Sequence, residues 1–297
     1  MAIDIKTISF GSGIPCPNCL HAFPPLAEVA PTFFETGAVT CGNCNRASNL
    51  WGAALRLVRQ SGASFFAVSS LGAMHTSFLF DLSRGEHKEL DLTLQGVPED
   101  ATILQLSFTS QGGDCFAQVK HGNLATVRFM GPKVYVYGMP HDLGVAGGKT
   151  CAGVTWIREK NSAESWLYLV DAFEAMASRK YWHVILPAHV GFEVALIPLV
   201  KGALEKHVSK ERVKDFLNDG LGISVALNIV LPLLCEIARA PRLQDEIRGQ
   251  LNHLRDLRNK LVHEGLPKES VTEQLAGEML AASMFGFEYV QFLRTRI

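Results

Sequence analysis

The sequence lacks an excess of charge of either sign, and this absence narrows the classes of function. Twenty-eight Lys and Arg residues balance 29 Asp and Glu residues among 297, for a formal net charge of −1. A protein that binds a polyanion with its whole surface is basic, so this class is disfavoured, although a local basic groove is not excluded. Apolar residues make up 47% of the chain, which provides for a sizeable core and excludes global disorder.

The sequence also lacks the segments that direct a chain to a membrane or an export route. Its first 13 residues contain no basic region followed by an apolar run, so we expect no signal peptide. The longest apolar-rich stretch, 221–238, is interrupted by Asn228, Pro232 and Glu236 and is a poor candidate for a membrane span. These absences predict a soluble, cytoplasmic protein with no membrane partner.

Hydrophobic periodicity changes along the chain and predicts a multidomain α+β protein. Residues 64–138 contain short β-branched or aromatic runs separated by turn signals about every ten residues, which predicts an antiparallel β-sandwich or small barrel. A helical period follows from about residue 162. We predict five helices, near 163–179, 184–207, 210–238, 242–263 and 269–294. Between these regions, the glycine-rich segment 144–150 departs from the P-loop pattern at Leu143 and is predicted to be a surface loop.

Seven cysteines are too few and too unevenly spaced for a disulfide framework. Four of them form two Cys-x-x-Cys pairs separated by 21 residues, at Cys16, Cys19, Cys41 and Cys44. Each pair can direct two sulfurs at one ion, and two pairs complete a tetrahedral site that suits zinc. The alternative is a redox pair. The pattern resembles a zinc ribbon over about residues 10–50, which implies one structural zinc per chain.

Asn and Gly residues inside the two cysteine turns indicate tight backbone turns. Asn18, Gly42 and Asn43 tolerate left-handed conformations, so we expect them to adopt the positive φ values that such turns need. All four ligand positions are filled by cysteine, which predicts a closed, structural site rather than a catalytic one.

The most informative stretch of the helical region is Arg258-Asn259-x-x-x-His263. A leucine-rich helix precedes it, Glu264-Gly265 follows it, and a long amphipathic segment ends the chain. This arrangement resembles the R-polar-x-x-x-H motif of the HEPN superfamily and covers roughly residues 163–297. The resemblance implies an α-helical bundle that cuts RNA without a metal, as a homodimer whose motif residues meet in one cleft. It assigns proton transfer to His263, phosphate binding to Arg258, and orientation or polarisation to Asn259.

The chemistry of these residue types agrees with that assignment. RNA carries its own nucleophile, the 2′-OH, and its cleavage needs a base, an acid and a cation. Histidine titrates near neutral pH, and arginine offers a fork of donors to phosphate oxygens. One histidine cannot easily perform both proton transfers, and a second copy in a dimer removes that difficulty. On an α-helix, Arg258 and His263 lie about 140° apart, whereas Asn259 and His263 share a face.

Two further residues are candidates for supporting roles. Glu193 lies in an apolar helical segment, where a buried carboxylate needs a partner. Arg258 or His263 would suit it, and a solvated position is the alternative. Arg255, beside Asp256, either lines the cleft or forms a surface pair.

The sequence therefore predicts three parts: a zinc ribbon at 1–50, a β-rich domain at 51–158 and a HEPN-like helical domain at 159–297. The leading hypothesis is an endoribonuclease that cuts single-stranded or looped RNA, as a toxin or antiviral defence effector with a regulatory protein or antitoxin as partner. The alternative is a non-catalytic dimerisation or sensing module with a zinc-ribbon binding region. A zinc-ribbon nucleic-acid adaptor is disfavoured by the neutral charge balance.

Overall fold

The protein divides into two compact units, which differ from the three predicted parts. The computed structural model describes residues 14–60, 73–111, 115–119, 132–140, 149–158, 163–219, 222–265 and 270–297. One unit, the β unit, spans Ala73–Ala163, and the other, the helical unit, combines Ser12–Gly72 with Glu164–Ile297. The predicted boundary between residues 50 and 51 therefore lies inside the helical unit.

The N-terminal part of the helical unit contains two helices that the periodicity analysis does not predict. Its elements are α1 (Leu26–Thr36), β1 (Val39–Thr40), β2 (Ala47–Ser48) and α2 (Leu50–Gln60). Helix α1 ends at Gly37, whose φ of 77° allows its N–H to bond to the carbonyl of Phe33 at 2.8 Å. Strands β1 and β2 form an antiparallel pair around the second cysteine turn.

Six helices form the C-terminal part of the helical unit. They are α3 (Ala163–Ala177), α4 (Trp182–Leu204), α5 (Lys210–Asp219), α6 (Ile223–Ala238), α7 (Asp245–Asn259) and α8 (Glu273–Arg294). The predicted helix over 210–238 is divided into α5 and α6, and Gly222 precedes the first residue of α6. Helix α8 begins at Thr272, whose side chain accepts a hydrogen bond from the N–H of Leu275.

Helix α8 is the core of the helical unit. It packs against α1, α2, α4 and α7, and aromatic rings join it to the N-terminal helices. The ring of Phe285 lies 5.2 Å from that of Phe33 and 5.6 Å from that of Trp51, and Tyr289 meets Phe34 edge-on at 5.0 Å. These contacts explain why the N-terminal segment belongs to this unit.

The burial of α8 corrects an expectation about dimerisation. Its large apolar residues are too widely spread around the helix for one narrow stripe, so part of them is expected to form a two-fold interface. These residues are Leu275, Met279, Met284, Phe285, Phe287, Tyr289 and Phe292. All except the partly exposed Leu275 are buried within the chain. These six buried residues are therefore not available to a second copy.

Helix α4 is the one described helix that is long and apolar enough to cross a membrane. Its most apolar 18-residue window has a mean hydropathy of 1.7, and 56% of that window is buried inside the protein. A core helix of a soluble protein passes the same test, and no clear signature of a membrane protein is present in the described residues. The most apolar long helix is thus Trp182–Leu204 rather than the stretch 221–238.

The described residues of the β unit form two three-stranded antiparallel sheets. The first has the order β3 (Met74–Asp81), β8 (Lys149–Ile157) and β5 (Thr102–Gln111), and the second has the order β4 (His87–Asp91), β7 (Lys133–Pro140) and β6 (Cys115–Val119). Apolar side chains from both sheets, including Phe78, Val154 and Val136, form one buried cluster.

Within the predicted β-rich region, the runs at 76–82, 101–109, 116–120 and 133–138 coincide with β3, β5, β6 and β7. The run at 90–94 overlaps β4 at only two residues, because Leu92–Gln95 forms a 3₁₀ helix, and β8 was not predicted. Strand β8 begins at Lys149, inside the segment assigned to a surface loop, and it is the central strand of its sheet. Its period-2 pattern is clear once it is paired, because Thr150, Ala152, Val154 and Trp156 are all buried. The first predicted run of this region, 64–70, and residues 144–148 of the glycine-rich segment lie outside the described residues.

Candidate functional site

The two Cys-x-x-Cys turns of the helical unit are built alike. In each turn the N–H of the first cysteine donates to the carbonyl five residues later, and the N–H four residues later donates back to the carbonyl of that cysteine. These bonds are Cys16–His21, Leu20–Cys16, Cys41–Arg46 and Asn45–Cys41, at 2.9 to 3.0 Å. Short antiparallel pairings flank both turns. The matched turns place their cysteines in equivalent orientations.

The four sulfur atoms form a group of the size that one metal ion needs. The Sγ atoms of Cys16 and Cys44 are 3.8 Å apart, those of Cys19 and Cys41 are 3.6 Å apart, and all four lie within 4.8 Å of one another. A tetrahedral zinc site with Zn–S distances of about 2.3 Å has S···S edges of about 3.8 Å. A disulfide would bring two sulfurs to about 2.05 Å. The cluster fits a metal site, not a disulfide pair.

Hydrogen bonds and desolvation act in opposite directions on these thiols. Desolvation acts to raise the pKa of Cys16, but the N–H groups of Asn18 and Cys19 outweigh it and lower the pKa to about 6. The N–H of Arg46 acts to lower the pKa of Cys44, but desolvation and the neighbouring cysteines raise it to about 11. Four adjacent thiolates repel one another, so a bound dication is the group that lets all four ionise.

The residues with left-handed backbone in the two turns are not the predicted ones. Leu20 and Asn45 have φ values of 62° and 56°, whereas Asn18, Gly42 and Asn43 have negative φ. Asn18 instead donates its backbone N–H to Cys16 Sγ at 3.4 Å and its amide to the hydroxyl of Ser48 at 3.2 Å. The hydrogen bond from the Asn18 amide to Ser48 forms only when the chain is folded, and the sequence pattern does not predict it.

The Arg-Asn-His motif lies where α7 changes into a π-helical turn. Arg258 and Asn259 end α7, and the π turn Lys260–Glu264 contains His263. The turn ends at Gly265, whose φ of 69° allows its N–H to bond to the carbonyl of Lys260. Because hydrogen bonds in a π turn join residues five apart, the α-helical angle of 140° between Arg258 and His263 does not describe this segment. Isolated π turns occur often at functional sites.

The three motif residues differ in exposure. Asn259 and His263 are exposed, and Arg258 is half-buried. Arg258 Nη1 donates a hydrogen bond to Asn259 Oδ1 at 3.1 Å. Its buried Nε makes no hydrogen bond to the part of the chain that the structure describes. The guanidinium is thus held at one nitrogen and retains donors for an anion.

The two supporting candidates pair with neighbours on their own helices. Glu193 Oε2 lies 3.5 Å from Nδ1 of His189, one helical turn away on α4, and its side chain is 39% exposed. Arg255 forms a pair with its neighbour Asp256, with Nη2 and Nε at 2.6 and 3.0 Å from one carboxylate oxygen. Glu193 is therefore neither fully solvated nor joined to Arg258 or His263 by a contact that the structure records.

The sequence reasoning missed His189. Its ring is 3% exposed, and within the described residues neither ring nitrogen makes a hydrogen bond. Desolvation, together with the positive charges of Arg258 and Arg255, lowers its pKa to about 4. Because the charge of Arg258 affects His189, the two side chains lie near each other where α4 packs against α7. The residue spacing gives no signal for this proximity, because the two helices are far apart in sequence.

A groove of about 820 Å³ opens beside Arg258. Helix α3 contributes acidic residues, including Asp171 and Glu174, and the start of α4 contributes His183 and apolar residues. The π turn adds Leu261 and Val262. Arg258 is the motif residue among the described lining residues. The three helices therefore form a concave surface that the motif arginine borders.

The β unit contains a second polar cluster that sequence reasoning missed. His75 Nε2 lies 2.7 Å from Ser77 Oγ, and its Nδ1 lies 3.2 Å from Thr155 Oγ1. Desolvation lowers the pKa of His75 to about 4, so the ring is neutral at pH 7 and can donate at one nitrogen and accept at the other. The sequence signal that could have indicated this cluster is the spacing of His75 and Ser77, which are two residues apart on a strand and therefore share a face.

Comparison with known proteins finds no match among protein-family models, curated proteins or solved structures.

Proposed function

We propose that the protein is a metal-independent endoribonuclease of the HEPN type. The observation that carries the proposal is the position of Arg258, which borders an open groove, is held by Asn259, and precedes an exposed histidine on the next turn. An anchored arginine and an exposed histidine supply the phosphate-binding and proton-transfer groups that RNA cleavage needs. The groove gives the nucleotide chain a place to lie.

The proposed reaction is an internal transesterification. The ribose 2′-oxygen forms a bond to phosphorus while the bond from phosphorus to the 5′-oxygen breaks. A base removes the 2′-OH proton, and an acid gives a proton to the departing 5′-oxygen. His263 performs one of these transfers, Arg258 neutralises the charge on the phosphate oxygens, and Asn259 orients the guanidinium. The partner's copy of His263 in a homodimer performs the second transfer.

The four cysteines support a separate, structural proposal. Cys16, Cys19, Cys41 and Cys44 hold one zinc ion per chain, because an all-thiolate tetrahedral set of this size suits that metal. When bound, zinc joins the two turns that precede α1 and α2. In the β unit, the cluster shared by both sheets supports a β-sandwich. We place the protein in the cytoplasm, as a toxin or antiviral effector restrained by a regulatory partner, with single-stranded or looped RNA as substrate.

The alternative is a non-catalytic dimerisation or sensing module, and one observation bears on the dimer that both hypotheses include. Ile229, Leu233 and Ile237 are spaced four apart on α6 and are 56, 58 and 65% exposed. Such a row on one helical face suits an isologous contact with a second copy. It would serve a scaffold as well as an enzyme, so it does not separate the two hypotheses.

Substitution of the motif residues separates the enzyme from the scaffold. His263→Ala and Arg258→Ala should each reduce RNA cleavage at least about 10²-fold, with circular dichroism and dimerisation unchanged. His253→Ala, at an exposed position on α7, should cut at the parent rate. Products should carry 2′,3′-cyclic phosphate and 5′-hydroxyl ends, and cleavage should persist in EDTA while the cysteine site keeps its metal. Equal rates for His263→Ala and the parent would exclude the catalytic assignment.

A further inference from the structure

The groove beside Arg258 is lined by both acidic and cationic residues. Asp171 and Glu174 lie on α3, Lys180 lies in the connection from α3 to α4, and Arg258 lies near the end of α7. A phosphate is repelled by the two carboxylates and attracted by Arg258 and Lys180. A ligand that carries both an anion and hydrogen-bond donors therefore matches the groove when its anion meets a cation and its donors meet the carboxylates.

Part of the apolar lining of the groove is exposed. Leu186 of α4 is 46% exposed and Val262 of the π turn is 50% exposed, and both face the groove. Pro187 and Leu261 extend the same lining. A flat aromatic ligand would cover these side chains, since apolar surfaces and π faces pack well. The volume of about 820 Å³ lies in the range of small-molecule pockets, about 300–1,000 Å³.

We infer that this groove is a binding site for one nucleotide with a base that donates hydrogen bonds, guanine above all. Its phosphate lies at Arg258, its base packs on Leu186 and Val262, and the base edge faces Asp171 and Glu174. A carboxylate accepts hydrogen bonds, so it favours an edge with N–H donors and disfavours an edge lined by carbonyl oxygens. Guanine offers two adjacent donors, N1–H and the 2-amino group, whereas uracil offers one N–H between two carbonyls.

This inference rests on the proposed ribonuclease function for its orientation. The scissile phosphate lies at Arg258, so the groove holds the base on its 5′ side. A guanosine 3′-monophosphate has the same connection of base, ribose and phosphate. Cleavage should therefore occur preferentially after guanine and least after uracil.

Binding of mononucleotides to the full-length chain tests the site without depending on cleavage. By isothermal titration, guanosine 3′-monophosphate should bind at least about 10-fold more tightly than uridine 3′-monophosphate, in line with one good base-edge contact. Asp171→Asn with Glu174→Gln should remove most of this difference. Arg258→Ala should weaken binding of both nucleotides but leave guanosine, which has no phosphate, unaffected. Asp215→Asn, at an exposed acid on α5, should change none of these values.

The two proposals can fail separately. Tight, base-selective binding without RNA cleavage would support the groove and count against the ribonuclease. His263-dependent cleavage with no preference among the four bases, together with equal affinities for the two nucleotides, would overturn the groove and leave the ribonuclease standing. Binding of neither nucleotide to the correctly folded chain would also overturn the groove assignment.

Discussion

Leu20 and Asn45 occupy equivalent positions in the two cysteine turns, four residues after Cys16 and Cys41, and both have left-handed backbone, with φ of 62° and 56°. The left-handed conformation costs most L-residues about 1–2 kcal/mol, whereas Asn and Gly adopt it readily. Leu20 is also 80% exposed, so its side chain contributes little packing. The first turn therefore contains backbone strain that the second turn avoids.

Replacing Leu20 by Gly or Asn should relieve this strain. We expect slower loss of zinc to a chelator and a gain of about 1 kcal/mol in the free energy of unfolding of the helical unit. The reverse change, Asn45→Leu, should accelerate zinc loss by a similar factor. Unchanged metal release in both variants would show that the left-handed residues do not limit the stability of the turns.

The metal content of the cysteine site gives a second prediction. Elemental analysis should find one zinc per chain, and the double substitution Cys16→Ser and Cys41→Ser should remove it. Cys151→Ser, which changes a free cysteine of the β unit, should leave the zinc in place. Because thiolate ligation contributes directly to folding, hydrogen exchange should accelerate in the cysteine turns, α1 and α2. Native protein without metal and with protected amides in these segments would contradict the zinc assignment.

Local sequence patterns predicted much of this structure. The spacing of four cysteines predicted their clustering, and the 3.6-residue period predicted the helices after residue 162. The helix α2 carried the same kind of signal, since Leu50, Ala54, Leu57 and Val58 are spaced for one face, but the segment lies next to a β-rich region and was assigned to it. The association of α1 and α2 with α8 depends on contacts across more than 200 residues, which no local pattern contains.

The candidate site was predictable only in its residue types. The motif predicted Arg258, Asn259 and His263, but not the π turn that follows α7 and ends at Gly265. The buried position of His189 and the groove depend on the packing of α3 and α4 against α7. For the same reason, the sequence could not decide between a solvated position and a partner for Glu193, whose carboxylate lies 3.5 Å from Nδ1 of His189.

The third prediction concerns the stability of two glycine-to-alanine variants of the helical unit, one of which serves as the control for the other. A Cβ at Gly286 of α8 would lie 2.8 Å from two ring atoms of Phe192 and 3.0 Å from Leu251 Cδ1. Both neighbours are buried, so Gly286→Ala should lower the free energy of unfolding by about 1–3 kcal/mol. A Cβ at Gly202 of α4 would meet nothing within 4 Å, and Gly202→Ala should raise it by about 0.5–1 kcal/mol. Urea unfolding of the two variants should shift in opposite directions, and equal shifts would contradict this packing.

The last prediction concerns the pH dependence of the helical unit. Burial and the nearby charges of Arg258 and Arg255 hold the pKa of His189 at about 4, below the value of about 6.5 in an unfolded chain. Between these two values the unfolded chain takes up a proton that the folded chain does not, so the free energy of unfolding falls as the pH is lowered from about 6.5 toward 4. The full contribution of His189 to the free energy of unfolding is present above about pH 6.5. Below that pH, the free energy falls by at most about 1.4 kcal/mol per pH unit.

His189→Leu should flatten this dependence and make the helical unit more stable than the parent at pH 5, because neither ring nitrogen makes a hydrogen bond that leucine would lose. The carboxylate of Glu193, 3.5 Å from the ring, is partly exposed and remains solvated in the variant. The β unit contains its own histidine of lowered pKa, His75, so the measurement must report on the helical unit alone. Hydrogen exchange of the buried amides of α8, corrected for the intrinsic effect of pH, meets this need. His207→Ala, at an exposed position, should keep the slope of the parent; the same slope in His189→Leu would show that His189 is not the group that titrates.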